Sequence, residues 1–418
     1  MRFNAGHTAP KRASMRRSLV AIVACGAAAV FPGSGAVGSS SSKPLTERLA
    51  RALAVPHVAV ARSAAVALDL TAGTAVFERH PGLSLVPASN EKLAVTFTAL
   101  ETLGPDYQIA TDVLGQGQLA GTTWRGSLVL QGHGDPSLSH ADLTTLARQV
   151  RAAGIRKVAG AVLGDESYFD SRRTAPGWKR SFYINQSAPL SALTVDRTWF
   201  HTHHSRAPAA AAAALFKDAL RAQGVFVTGR AIRGRASVDA LQLAEVLSPP
   251  LAQLVRFMDR ESDNFTAELL LKQIGASTGA LGTTAVGAAQ VRAALAAAGV
   301  PLSGVRIVDG SGLSRLDRLT ARAIVGMLAA AWDDPMIKMP FVSALAVAGR
   351  SGTLKDRLRR PPARGVVVAK TGTTSLASAL SGYVRQRYTF SVLQNGRPVS
   401  RFWARRAEDR FAAVLAAQ

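Results

Sequence analysis

The sequence predicts an α+β fold: an antiparallel sheet built from both ends of the chain, helices packed against it, and a lobe of mixed α and β elements inserted between. Three observations predict it. Strand-like alternation marks residues 58–79 near the start and 366–393 near the end. Helical spacing dominates the stretch that follows Pro249-Pro250. Residues 107–245 differ from both, with short strands, turns and two separated helices. Strands at the two ends with helices between them are expected to share one sheet, which leaves the middle as a separate lobe.

The first 36 residues have the layout of an export signal. Arg2, Lys11, Arg12, Arg16 and Arg17 supply the positive region, 19–30 a short apolar stretch, and Ser34-Gly35-Ala36 a small-residue cleavage site. Met15-Arg16-Arg17 offers an alternative start. The apolar stretch is short for a membrane span. Cys25, the only cysteine in the chain, lies inside this signal; a lipid attached there is the less favoured reading. The body therefore has no disulfide, thiol nucleophile or cysteine metal site. An exported product is expected, periplasmic, wall-associated or extracellular. Residues 37–44 read as a linker, 45–106 and 246–418 as the two parts of the main domain, and 107–245 as the inserted lobe.

Within the first part, strands are expected at 58–60, 65–70 and 74–77, with Thr71-Ala72-Gly73 as a hairpin turn. Pro87-Ala88-Ser89 opens a helix that runs to about Leu103 and stops at Gly104-Pro105. In the lobe, strands are expected at 108–114, 126–130 and 158–163, and helices at 141–153 and 209–223. Further helices follow at 251–260, 264–274, 285–298 and 321–332. A meander of strands at 366–370, 379–384 and 388–393 precedes a terminal helix over 401–417.

With 418 residues, 48% of them hydrophobic, the chain can bury a large core. Its net charge of +23 comes mainly from arginine. No long basic run or aromatic-basic interleaving accompanies it, so nucleic acid is not an expected partner. Contact with an anionic envelope surface is consistent with the charge.

Three short motifs carry chemistry. Ser89-Asn90-Glu91-Lys92 stands at a helix start, where residues three apart share a face and an amine can reach a hydroxyl. A serine hydroxyl needs a base to become a nucleophile, and a lysine with a lowered pKa can serve. Ser262-Asp263-Asn264 stands at the junction of two helices, and Lys370-Thr371-Gly372-Thr373 at the end of a strand. Each motif alone is common; S-x-x-K is often only a helix cap. The ordered set on the expected elements points to serine acyl transfer.

These motifs resemble those of penicillin-binding proteins and serine β-lactamases. Longer stretches resemble the D-alanyl-D-alanine carboxypeptidase/endopeptidase family of low-molecular-mass penicillin-binding proteins: Pro87-Ala88-Ser89-Asn90-Glu91-Lys92, Gly134-Asp135-Pro136-Ser137-Leu138, Asp309-Gly310-Ser311-Gly312-Leu313-Ser314-Arg315 and Ser381-Gly382-Tyr383-Val384 among them. The inserted 107–245 stretch between Ser89 and Ser262 favours this family over compact β-lactamases. The resemblance implies a transpeptidase-like domain with helices on both faces of its sheet. It implies Ser89, Lys92 and Ser262 as catalytic residues, and Asn264, Lys370, Thr371, Gly372 and Thr373 as substrate-binding residues. It further implies peptidoglycan stem peptides as substrate, β-lactams as acylating inhibitors, and no metal or organic cofactor. His133, Asp196 and the tight 384–388 hairpin depart from the family pattern. The hairpin lies beside the active-site strand and bears on substrate range.

Two other readings use the same fold. A serine β-lactamase would need a water-activating group, and no convincing Glu motif follows Ser89. A non-catalytic wall-binding protein would not need the intact motifs. His201, His203 and His204 cluster near Asp196, but a polar surface loop explains them better than a metal site. Asp309-Gly310-Ser311-Gly312 is expected to be a structural loop bordering the site.

Overall fold

The computed structural model describes residues 43–418, which pack as one unit. The export-signal reading of residues 1–36 lies outside the described residues. The main sheet has six strands in the order Ala346–Val347, Val367–Thr373, Ala377–Val384, Tyr388–Asn395, Ser63–Asp69 and Thr74–Arg79. Every neighbouring pair is antiparallel. Among the described residues the first strand thus lies beside the last, Ser63 opposite Gln394 and Asp69 opposite Tyr388.

Side chains alternate between the two faces of such a sheet, and both faces are covered. Ala64 and Val66 enter one core with the helices Lys92–Leu103, Leu251–Glu261, Asn264–Ala276 and Ala321–Asp333. Ala65 and Ala67 enter the other, which holds Leu49 of helix Leu45–Ala52 and Phe411 of helix Arg401–Ala416. The same period sorts the strand Val367–Thr373. Val367 and Ala369 face the outer helices, so Val368, Lys370 and Gly372 face the inner ones.

A second, seven-stranded sheet occupies residues 110–247. Its longest strands, Ala110–Ala120 and Thr123–Gly132, form an antiparallel hairpin, while Val162–Asp165 joins the latter in parallel. Helices His140–Ala152 and Pro208–Ala222 cover it, and Val113, Leu128, Leu146 and Phe216 share its core. Ser139 starts the first of these helices with a reciprocal capping box to Asp142.

Some local expectations fail for physical reasons. Residues 58–60 are not a strand. His57 sits at φ 58°, residues Val60–Arg62 form a 3₁₀ turn, and pairing begins only at Ser63. The 158–163 segment is two strands, Lys157–Val158 and Val162–Asp165. Between them the Ala161 amide bonds the Ser127 hydroxyl instead of a ladder carbonyl. Strand Leu241–Leu247 escaped the periodicity because only Ala244 in it is buried. Helix Lys338–Ala344 contains Pro340, which its first turn tolerates.

Candidate active site

The serine motif is built at the edge of the inner core. Residues Ala88–Glu91 form a 3₁₀ turn that runs into helix Lys92–Leu103. Ala88 takes φ 48°, an uncommon conformation for a residue with a Cβ. Ala88 and Asn90 are buried while Ser89 remains partly open. Two glycines let backbone come close here. A Cβ on Gly372 would lie 2.8 Å from the Pro87 carbonyl, and one on Gly312, at φ 77°, would collide with the Ala88 carbonyl. The strand of Lys370 and the loop of Ser311 therefore clamp the serine turn from two sides. Asn90 completes the clamp: its amide donates to the Lys370 carbonyl at 3.0 Å and its oxygen accepts from the Ser381 hydroxyl at 2.6 Å.

The Lys92 ammonium reaches three acceptors: Ser89 Oγ at 3.2 Å, Asn264 Oδ1 at 2.8 Å and the Ser311 carbonyl at 2.7 Å. The Lys370 ammonium donates to Ser262 Oγ at 2.8 Å and to the Thr371 carbonyl at 3.0 Å. The structure thus brings Ser89, Lys92 and Asn264 into one hydrogen-bonded group, and Lys370, Ser262 and Thr371 into another. Thr371 Oγ1 donates to Thr353 Oγ1 at 2.8 Å. Thr373 lines a cavity of about 240 Å³ with Gln186 and Ser314, and Lys179, Arg315 and Arg401 also border it.

Ser262 ends helix Leu251–Glu261 in the left-handed conformation, φ 58°, and Asp263 starts the next helix by accepting from the Thr266 amide. That junction turns Ser262 and Asn264 toward the two lysines. Arg197, from the lobe, holds Asp263 with a bidentate pair at 2.7 and 3.0 Å. Burial raises the Asp263 pKa, but the bonds and charge of Arg197 outweigh it and leave the carboxyl below its usual range. Asn264 Nδ2 donates to the Gln186 carbonyl at 2.9 Å, so both ends of its amide are occupied.

Both lysines are fully enclosed. Burial lowers Lys92 to about 8, against the pull of nearby carboxyls. It lowers Lys370 to about 7, helped by repulsion from Lys92. Behind them lies a group of buried carboxyls, Glu91, Asp259, Glu268, Asp309 and Asp317. Burial raises Asp259 to about 6, opposed by Lys370. Burial and the Asp309 charge raise Glu268 to about 8. Burial, with Asp309, also raises Glu91 and Asp317 well above the usual carboxyl range. Glu268 Oε1 accepts from the Gly310 and Ser311 amides at 3.0 and 2.9 Å, which fixes the loop whose carbonyl meets Lys92. Asp309 accepts from the Gly312 and Ser314 amides and from the Trp178 indole. Glu91, inside the S-x-x-K motif, and Asp309, in the loop expected to border the site, carried a signal; no local pattern marked Asp259, Glu268 and Asp317, whose burial is a product of tertiary packing.

The histidines noted in the sequence lie elsewhere. His203–His204 forms a two-residue strand paired with Trp199–Phe200, and His140 contacts Asp196. Among the described residues no group of three or more His, Cys, Asp or Glu is arranged to hold a metal ion.

An antiparallel sheet between two helical layers, with a Ser–Lys helix turn at its inner edge, is the architecture of the penicillin-binding serine hydrolases. The chain belongs to the D-Ala-D-Ala carboxypeptidase 3 (S13) family, whose model matches residues 45–206 and 201–418. It is 33% identical to a D-alanyl-D-alanine carboxypeptidase of Actinomadura sp. (strain R39), over 84% of this chain and 81% of that one. It is 32% identical to the carboxypeptidase DacB of Mycolicibacterium smegmatis, over 89% and 83%. Its fold is similar to the crystal structure of penicillin binding protein 4 (dacB) from Haemophilus influenzae: TM-score 0.77 at 20% identity, covering 88% of this chain and 98% of that chain. The structure of that protein complexed with a novel β-lactam matches with a TM-score of 0.72.

Proposed function

We propose that this chain is an exported serine D-alanyl-D-alanine carboxypeptidase that acts on peptidoglycan stem peptides through an acyl-enzyme on Ser89. The observation that carries the reading is the convergence of two enclosed amines on two partly open hydroxyls, Lys92 on Ser89 and Lys370 on Ser262. Ser89 Oγ attacks the carbonyl between the two D-alanines, and its proton passes to Lys92. Ser262 passes its proton to the amine of the departing D-alanine and takes another from the Lys370 ammonium, which lies 2.8 Å away. Water then hydrolyses the ester and frees Ser89.

Charge explains how Lys92 comes to be the base. Two ammonium groups in one dry site repel each other, so one proton is readily lost. A substrate carboxylate arriving near Lys370 favours the charged form of that lysine. Lys92 is then the amine left neutral, at hydrogen-bond reach of the nucleophile. Asn264 exchanges its bond to the Gln186 carbonyl for one to the substrate amide. Thr371 and Thr373 hold the substrate end, Gly372 lets the strand lie close to the serine turn, and the Ser89 and Thr373 amides stabilise the oxyanion. Such donors contribute about 3 kcal/mol each. Where the leaving amine belongs to a neighbouring stem peptide, the same steps cut a cross-link, so endopeptidase cleavage falls within the proposal. β-Lactams acylate Ser89 at the same step. Residues 1–36 export the chain; among the described residues no helix is long and apolar enough to cross a membrane.

The test is labelling with a fluorescent penicillin, followed by mass spectrometry of the labelled peptide. The expected result is one adduct on the peptide containing Ser89 and none on Ser89→Ala. Label retained by Ser89→Ala refutes the nucleophile, and rapid turnover of nitrocefin without a lasting adduct favours a β-lactamase.

A further inference from the structure

The outer layer of the main sheet carries a groove that the chemistry above does not use. Helix Arg401–Ala416 forms one side and the 356–363 segment the other of an open groove of about 870 Å³. Arg359, Arg360, Arg401, Arg405, Arg406 and Arg410 line it, and all six are exposed. Among the described residues none of the six forms an ion pair. Neighbouring Arg357 is the contrast, since it holds Glu408 at 2.9 Å and Asp409 at 2.7 Å. The acidic residues of the groove are Asp356 and Asp409, so Arg357 has already taken one of them. Along the helix, residues 402, 406, 409 and 413 fall on one stripe. Phe402, 63% exposed, lies among the arginines, and the Arg406 guanidinium rests 5.5 Å from the Trp403 ring centroid.

Unneutralised guanidinium groups on two sides of an open groove select an extended polyanion, and their planar forks match phosphate oxygens. A bilayer would be met by an amphipathic face with a broad apolar side, and the one large exposed apolar side chain here is Phe402. Single-stranded nucleic acid calls for a series of aromatic stacking platforms, and this groove has Phe402 alone. We propose that the groove docks a linear phosphodiester polymer of the cell wall and so holds the enzyme beside its substrate. The choice of polymer rests on the wall-directed reading above. Placement supports it: the groove lies on the sheet face opposite the serine helix, leaving the cleft free. It also begins at Arg401, which borders the cavity that reaches Thr373.

The experiment measures retention of the full chain on purified wall sacculi, either keeping their phosphodiester polymer or stripped of it by acid. Wild type should be retained at least about tenfold more on the former, with retention falling steeply as salt rises. A groove variant, Arg359→Glu with Arg405→Glu and Arg410→Glu, should lose that difference. A control of equal charge in the lobe, Arg125→Glu with Arg230→Glu and Arg235→Glu, should keep it. If the groove variant does not fold, competition on wild type decides: soluble polyphosphate must displace it from the walls. Equal retention on stripped walls, equal loss in the control, failure of polyphosphate to compete, or equally tight binding to phosphatidylglycerol vesicles or DNA overturns the proposal. Hydrolysis of a small soluble D-Ala-D-Ala peptide in the same samples separates the two readings. Wild type without hydrolysis sinks the catalytic one, whereas hydrolysis without wall retention sinks the groove.

Discussion

Lys92 and Lys370 share with Lys272 complete enclosure by protein, but their partners differ in kind. Lys272 is held by the carboxylate of Asp170 and the Arg172 carbonyl, under the lobe-facing side of helix Asn264–Ala276. None of the hydrogen bonds of Lys92 or Lys370 goes to a carboxylate; the acceptors are hydroxyls, an amide oxygen and backbone carbonyls. Of the acids whose charge acts on Lys92, Asp259 and Glu268 have raised pKa values, while Asp263 is already paired with Arg197. The contrast separates two uses of a buried amine. One paired with a carboxylate keeps its charge and joins two elements. One offered only neutral acceptors gives up its proton easily, which is what a general base requires.

The largest effect that could break this contrast comes from removing each amine. Lys92→Met should lower the penicillin acylation rate by roughly 10²–10⁴-fold, with a Tm at or above that of wild type. Lys272→Met should do the opposite. It leaves Asp170 unpaired in a largely enclosed place and should cost about 3–5 kcal/mol of stability, measured by denaturant unfolding, while the folded fraction acylates normally. A stable Lys272→Met, or a Lys92→Met that acylates at the wild-type rate, removes the distinction.

A smaller effect sharpens it. Glu268→Ala strips an acceptor from two buried amides and should cost about 1–3 kcal/mol. It should also slow acylation, because the Ser311 carbonyl no longer orients Lys92. Glu268→Gln keeps a carbonyl acceptor and should recover most of the rate. Equal rates in the two variants would show that the loop does not position Lys92.

The smallest effect is on the pH dependence of stability. Unfolded carboxyls release their protons near pH 4, whereas folded Asp259 and Glu268 keep theirs to about 6 and about 8. The folded state therefore binds more protons over that interval, and stability falls as pH rises from about 5. Lys370 and Lys92 act in the other direction only above about 7 and about 8, where each is neutral in the folded chain and still charged in the unfolded one. Unfolding free energy should be highest near pH 5 and decline toward 7. A stability that climbs steadily from pH 5 to 7 contradicts the raised carboxyls.

Much of the framework was legible in the sequence because it is written in short-range patterns. Helical spacing after Pro249-Pro250, the alternation around Val66 and the meander ending in Tyr388–Asn395 match observed elements closely, and the shared sheet of the two chain ends followed from them. The positions of Ser89, Lys92, Ser262 and Lys370 were legible as spacing within three motifs. Less was legible where burial decides. Strand Leu241–Leu247 exposes both of its terminal leucines and so lacks an apolar face to detect. Glu91, Glu268 and Asp317 look like ordinary surface acids until the fold closes around them. Arg197, which joins the lobe to Asp263, lies 66 residues from its partner and no periodicity links the two.

The most direct test of the unpaired-amine account is the second-order rate of Ser89 acylation by a chromogenic cephalosporin, followed from pH 6 to 10. With Lys92 held at about 8, the rate should rise with pH and level off just above that value. A rate that is flat over the whole range, or one still rising tenfold per pH unit at pH 10 as an ordinary lysine would give, contradicts it.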